Sequence, residues 1–158
     1  MAYEYRLTRR VEFSETDRSG TVHFTNFLRY MESAEHAFFR SLGFSIHTAH
    51  PEAAGSEAAG SEAIGWPRVH ASCEVTGSLR FEDSVEVRLL VRERRQKSIV
   101  YEFVFRKMND DSPTEVARGS LAVVCVRRDS ATGEMTAVPI PKLIAGKIEA
   151  APAELLAR

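Results

Sequence analysis

The 158-residue chain carries a net charge of −1 with 44% hydrophobic and 27% charged residues, which suits a globular fold with one sizeable core and leaves no length for a second full domain. So balanced a charge excludes a nucleic-acid surface built on surplus cations, and no apolar run approaches the roughly 20 residues that a membrane-spanning helix needs. Residues 1–10 (MAYEYRLTRR) lack the apolar segment of a secretory signal, so a cytoplasmic location is expected; Cys73 and Cys125, each in a strand-like apolar stretch, read as buried free thiols rather than a disulfide framework.

Along the chain, Tyr3, Tyr5 and Leu7, with Val11 and Phe13 beyond them, alternate as in a first strand. Residues 14–27 (SETDRSGTVHFTNF) then set an acid, Asp17, ahead of a turn at Gly20. Residues 26–42 (NFLRYMESAEHAFFRSL) space Phe27, Met31, Ala34, Phe38 and Leu42 at helical intervals, with Thr25 or Asn26 as the N-cap and Gly43 as the stop. Residues 51–65 repeat a small, polar, glycine-rich pentapeptide that buries too little surface to offset ordering; this segment reads as a flexible excursion or as a mobile lid over a site. From Trp66 the period changes to two, with strands expected at 68–75, 84–91, 98–105 and 115–126 and turns at 109–113 and 129–133. The last strand is apolar on both faces, as in a central strand. One early strand, one long helix and then successive strands give an α+β fold, an antiparallel sheet curved around the helix.

A carboxylate just ahead of a helix has two readings. Asp17 either serves the turn and the helix dipole, or is the reactive group of a site built on the helix's free N–H groups, which receive a developing oxyanion without reorganising. No Gly-x-Ser-x-Gly elbow offers a serine route. His47, His50 and Glu52 fall close together, but without a further ligand at a supporting spacing they read as a polar loop. Glu32 and Glu35 read as solvated helix residues.

The ordered combination of residues 11–35 (VEFSETDRSGTVHFTNFLRYMESAE), 94–100 (RRQKSIV) and 117–126 (ARGSLAVVCV) resembles the hotdog-fold acyl-CoA thioesterases, in particular the 4-hydroxybenzoyl-CoA thioesterase-like group. Its most specific part is the Asp-x-x-Gly turn followed by a valine, an Asn-aromatic pair and a helix acid, matched by Asp17, Gly20, Val22, Asn26, Phe27 and Glu32. The resemblance implies one hotdog domain over residues 1–158, and a hydrolase that cleaves acyl-CoA to a carboxylic acid and free coenzyme A. It implies no metal or separate cofactor, and a homodimer or homotetramer whose sites lie at a subunit contact.

By the same resemblance, Asp17 is the nucleophile or the general base, and the backbone N–H groups of Phe24 and Thr25 polarise the thioester carbonyl. Gly20, Asn26 and Phe27 line the substrate and Glu32 supports the site; apart from the resemblance, the strand alternation at His70 and Ser72 leaves open that they line an acyl pocket from a neighbouring subunit. Arg94, Arg95 and Lys97 contact the coenzyme A phosphates, the other reading being a charged hairpin edge that deters aggregation. His23 stands one place ahead of the group's histidine, and either assists proton transfer or walls the pocket. An acyl carrier protein thioester is the alternative substrate, and an acyl-CoA binding module without turnover is the alternative of another class.

Overall fold

The structure, a computed structural model, describes residues 1–47, 64–109 and 111–156. Of the excursion expected at 51–65, residues 51–63 lie outside the described residues, as does His50, whereas Ile64 and Gly65 form a short strand with Ile64 buried.

Strand β1 (Glu4–Arg10) ends sooner than the alternation predicts, because Val11 turns into the core and Phe13–Glu15 forms a single 3₁₀ turn. Helix α1 (Phe24–Ser41) follows, then a two-residue β2 (Ile64–Gly65) and the long strands β3 (Arg68–Val75), β4 (Ser84–Arg94), β5 (Ser98–Lys107) and β6 (Thr114–Val124). Short elements β7 (Val126–Arg128), β8 (Met135–Ala137), α2 (Lys142–Ala145) and α3 (Ala153–Leu156) complete the order. The main sheet runs β1-β4-β5-β6-β3, antiparallel at every pairing, and a small second sheet joins β2, β7 and β8.

The doubly apolar 115–126 run supplies β6, an interior strand between β5 and β3 as expected, with β5 at the middle of the main sheet. That run is interrupted: the Cys125 N–H donates to the Lys97 carbonyl at 2.8 Å, and Val126 moves into the second sheet. Cys125 is buried and Cys73 half-buried, both as free thiols.

Alternation decides which face is covered. Val85, Val87 and Leu89 of β4 and Ile99, Tyr101, Phe103 and Phe105 of β5 point to one side, and α1 lays Phe27, Met31, Ala34 and Phe38 on them. Phe27 meets Phe105 edge-on at 5.4 Å, and Phe38 meets Tyr101 at 6.4 Å. Each large buried side chain of this stripe is worth about 1.5–3 kcal/mol, so packing rather than propensity fixes the helix. The helix approaches β6 so closely at Gly119 that a Cβ there would lie 2.6 Å from the Met31 sulfur. At the far end Gly43, with φ +89°, stops α1, and the Phe44 N–H returns to the Phe39 carbonyl at 3.0 Å.

Candidate active site

Between Glu15 and His23 the chain folds back as a small hairpin. Thr16 pairs with Val22, the Asp17 N–H donates to the Thr21 carbonyl at 2.8 Å, and the Gly20 N–H donates to the Asp17 carbonyl at 3.0 Å. Gly20 has φ +82°, and no atom lies within 4 Å of where its Cβ would sit, so the backbone conformation and not crowding demands glycine. The hairpin docks on the loop before β4 through the Val22 N–H to the Leu79 carbonyl at 2.8 Å. At its tip Asp17 is exposed, and its Oδ1 accepts the Ser19 N–H at 2.8 Å and the Ser19 hydroxyl at 2.5 Å. These bonds, the hydroxyl's foremost, hold the carboxyl below the usual aspartate range. Asp17 is therefore both the turn's cap and a fixed carboxylate, ionised at neutral pH.

Helix α1 begins directly after the hairpin, earlier than the expected caps Thr25 and Asn26 allow. The early start has a mechanical cause: the His23 N–H closes the hairpin onto the Glu15 carbonyl at 2.9 Å, and the helix starts from there. His23 is the N-cap. Its Nδ1 accepts the Thr25 N–H at 3.3 Å and lies 2.7 Å from the Thr25 hydroxyl, which puts the proton of the neutral ring on Nε2. Its ring stacks on Phe24 at 4.6 Å. Phe24 is 70% exposed, and its N–H has no acceptor among the described residues, as expected for the first helical position. The Asn26 amide donates to the Glu15 carbonyl at 2.8 Å, so this side chain braces the hairpin, while Phe27 is buried in the core.

Glu15 was not singled out by the sequence, yet it joins the parts. One carboxylate oxygen accepts from Arg9 on β1 and the other from the Tyr30 hydroxyl on α1, and the Arg9 guanidinium lies 4.2 Å over the Tyr30 ring. Burial, then the bond to Glu15, pushes the Tyr30 hydroxyl well above the usual tyrosine range, so it stays a donor.

The cationic cluster lies elsewhere. Arg94, Arg95 and Lys97 are exposed on the β4–β5 hairpin, where Arg95 pairs with Glu93 at 2.6 Å. The Asp17 hairpin sits at the Ser84 end of β4, and the strand's 11 residues at about 3.3 Å each separate the two groups by roughly 33 Å within one chain.

Glu35 departs from the sequence reading of a solvated helix residue: it is 0% exposed. Its Oε2 accepts from Arg68 at 3.0 Å, and Arg68 also reaches the more exposed Glu32 at 3.3 Å. Its other oxygen and the Tyr101 hydroxyl are buried without partners among the described residues. Burial raises the Glu35 carboxyl to about 7 against the pull of Arg68. His70 and Ser72, 3.3 Å apart, are exposed on β3. His47 is an exposed loop residue, and among the described residues no three acids, histidines or cysteines gather to hold a metal.

A sequence profile of the thioesterase-like superfamily matches residues 11–157. The chain belongs to this superfamily. This thioesterase is 33% identical over 107 residues to a candidate esterase of Aquifex aeolicus (strain VF5), an alignment spanning 68% of this chain and 74% of the relative. Among solved structures it is similar to a gentisyl-coenzyme A thioesterase at 28% identity, with 89% of this chain and 99% of that one covered and a TM-score of 0.69. The 4-hydroxybenzoyl-CoA thioesterase of Pseudomonas sp. strain CBS-3, 20% identical over 91% of this chain and 99% of that one, shares the fold at a TM-score of 0.72. The curved antiparallel sheet on one long helix is the hotdog architecture, and the chain is a thioester hydrolase. No helix among its described residues is long and apolar enough to cross a membrane.

Proposed function

We propose that this thioesterase hydrolyses acyl-coenzyme A to a carboxylic acid and free coenzyme A, with Asp17 as the group that starts the reaction. The observation that carries the reading is the pairing of an exposed, ionised carboxylate, fixed by Ser19, with the Phe24 N–H at the start of α1, which has no acceptor among the described residues. The thioester carbonyl oxygen sits against that N–H and the positive helix end, where charge developing on it is stabilised. Ser19 occupies Oδ1, so Oδ2 supplies the electron pair, either to the carbonyl carbon or to a water whose proton it takes. In the first case loss of the coenzyme A thiolate leaves an Asp17–acyl anhydride, which water then cleaves to the carboxylic acid and free Asp17; in the second the water oxygen adds to the carbonyl carbon and the C–S bond breaks, and in both the thiolate is protonated as it leaves. A cleft of about 200 Å³ among α1, β3 and β6, lined by Leu28, Met31, Ala71 and Leu121 together with the charged Arg29, Glu32 and Arg68, offers an acyl group apolar contacts beside a polar rim.

Coenzyme A needs cations for its phosphates, and within one chain Arg94, Arg95 and Lys97 lie at the wrong end of the sheet. A second copy supplies them. β3 pairs with β6 on one side only, and its outer edge, with Val69 64% and Val75 45% exposed, carries backbone groups that no strand among the described residues covers. Two such edges paired about a two-fold axis carry the partner's cationic hairpin to the Asp17 end, making a homodimer or homotetramer the working form. The reading is tested by measuring thiol release from short, long and aromatic acyl-CoAs and from the matching acyl carrier protein thioesters. Higher kcat/KM on coenzyme A thioesters is expected; cleavage of the carrier-bound thioesters alone would overturn the substrate class.

A further inference from the structure

We propose that Glu15 is a positioning residue, a clamp that sets the distance between the Asp17 carboxylate and the start of α1. The inference rests on the reading of Asp17 as the reacting group. Two observations carry it. First, the Glu15 side chain is held from both sides of the fold, by Arg9 on β1 and by the Tyr30 hydroxyl on α1, with the Arg9 guanidinium carbon 4.2 Å over the Tyr30 ring. Second, the Glu15 carbonyl is the acceptor on which the hairpin closes, taking the His23 N–H at 2.9 Å and the Asn26 amide at 2.8 Å.

Sheet, helix and catalytic hairpin therefore meet on one residue. The hairpin's own ladder holds only its internal shape: the Thr16–Val22 bridge and the Asp17–Thr21 bond would persist if the whole hairpin tilted. What fixes its attitude is Glu15 at its base and, at its flank, the Val22 bond to Leu79 with the Thr21–Arg80 bridge beside it. Tyr30 is matched to this task. Its hydroxyl is buried and resists deprotonation, so the donor to Glu15 persists through the neutral and mildly alkaline range. Glu15 does not touch the Asp17 carboxylate, which is bonded by Ser19, so loosening the clamp moves the carboxylate without changing its ionisation. A displacement on the order of 1 Å costs about 100-fold in rate when reacting groups must be held in line.

The test uses Glu15→Gln and Tyr30→Phe in the full chain. Tyr30→Phe removes one hydroxyl and leaves the ring beneath Arg9, so it remains informative if Glu15→Gln fails to fold. Each folded variant should lose about 10- to 100-fold in kcat, keep KM for acyl-CoA within about twofold, and keep the pH profile of the parent. Asp17→Asn is measured beside them, and Tyr30→Phe is repeated in that background, where the clamp has no carboxylate to place and should add little further loss. Full kcat in folded Tyr30→Phe, with Asp17→Asn inactive, overturns the clamp and leaves the reading of Asp17 standing. An equal Tyr30→Phe loss in both backgrounds also overturns it, by showing that the effect does not pass through Asp17. An active Asp17→Asn protein would instead remove the reading on which the clamp rests.

Discussion

Replacing Glu35 by glutamine should flatten the pH dependence of stability by a predictable amount. The carboxyl lies at about 7 in the folded protein against an ordinary 4.5, mainly because burial disfavours its charge. Between those values the folded chain keeps a proton that the unfolded chain has released, so stability falls as pH rises through the window and levels off above about 7. The gap of about 2.5 pH units, at about 1.36 kcal/mol each, amounts to roughly 3 kcal/mol. For a chain of 158 residues that is on the order of 6–12 °C in Tm. The amide of the Glu35→Gln variant would remain neutral throughout and still accept from Arg68, which also keeps Glu32 at 3.3 Å. Thermal unfolding of both proteins from pH 4.5 to 8.5, at one fixed concentration because assembly shifts Tm, should show the variant gaining on the parent by roughly 3 kcal/mol as pH rises. Parallel stability curves would refute the assignment of a buried, high-pKa carboxyl at this position.

Ser19→Ala removes the foremost cause of the lowered Asp17 carboxyl, so the acid limb of kcat/KM, expected in the parent below the ordinary aspartate value of 3.8, should move upward toward it in a pH-rate profile. Gly119→Val crowds Met31, whose sulfur would lie 2.6 Å from the added Cβ, and should destabilise the fold by about 1–3 kcal/mol in denaturant titration. An Arg95→Ala, Lys97→Ala double variant should raise KM for acyl-CoA with kcat nearly intact, because phosphate contacts remote from the carbonyl hold ground and transition states alike. Unchanged KM would make the cluster a charged edge only.

What the sequence disclosed was whatever depends on local spacing. Phe27, Met31, Ala34 and Phe38 at helical intervals located α1 and its buried face, Gly43 located its end, and the alternation at 68–75 matched β3 to the residue. Asp17 with Gly20 was legible because a turn writes its requirements into adjacent positions. Contacts between distant residues left weaker traces. Arg9, Glu15 and Tyr30 come together only when β1 and α1 pack, and the visible sign was an acid two places before Asp17. Glu35 stood four places after Met31 on the apolar stripe, a charged residue where burial was due, but its partner Arg68 is 33 positions away. The helix cap was misplaced because histidine is not among the preferred N-cap residues, and the hairpin that makes His23 the cap is a tertiary closure onto Glu15. The separation of Arg94, Arg95 and Lys97 from Asp17 follows from strand order and direction, which no local pattern encodes.

The most direct test of the catalytic assignment is thiol release by Asp17→Asn at saturating acyl-CoA, compared with the parent in a preparation whose circular dichroism, Tm and coenzyme A binding match it. The amide keeps an oxygen for Ser19 but neither attacks a carbonyl nor takes a proton from water, so kcat should fall by at least about 100-fold while binding persists. Turnover within a few-fold of the parent would contradict the assignment of Asp17 as the group that starts the reaction.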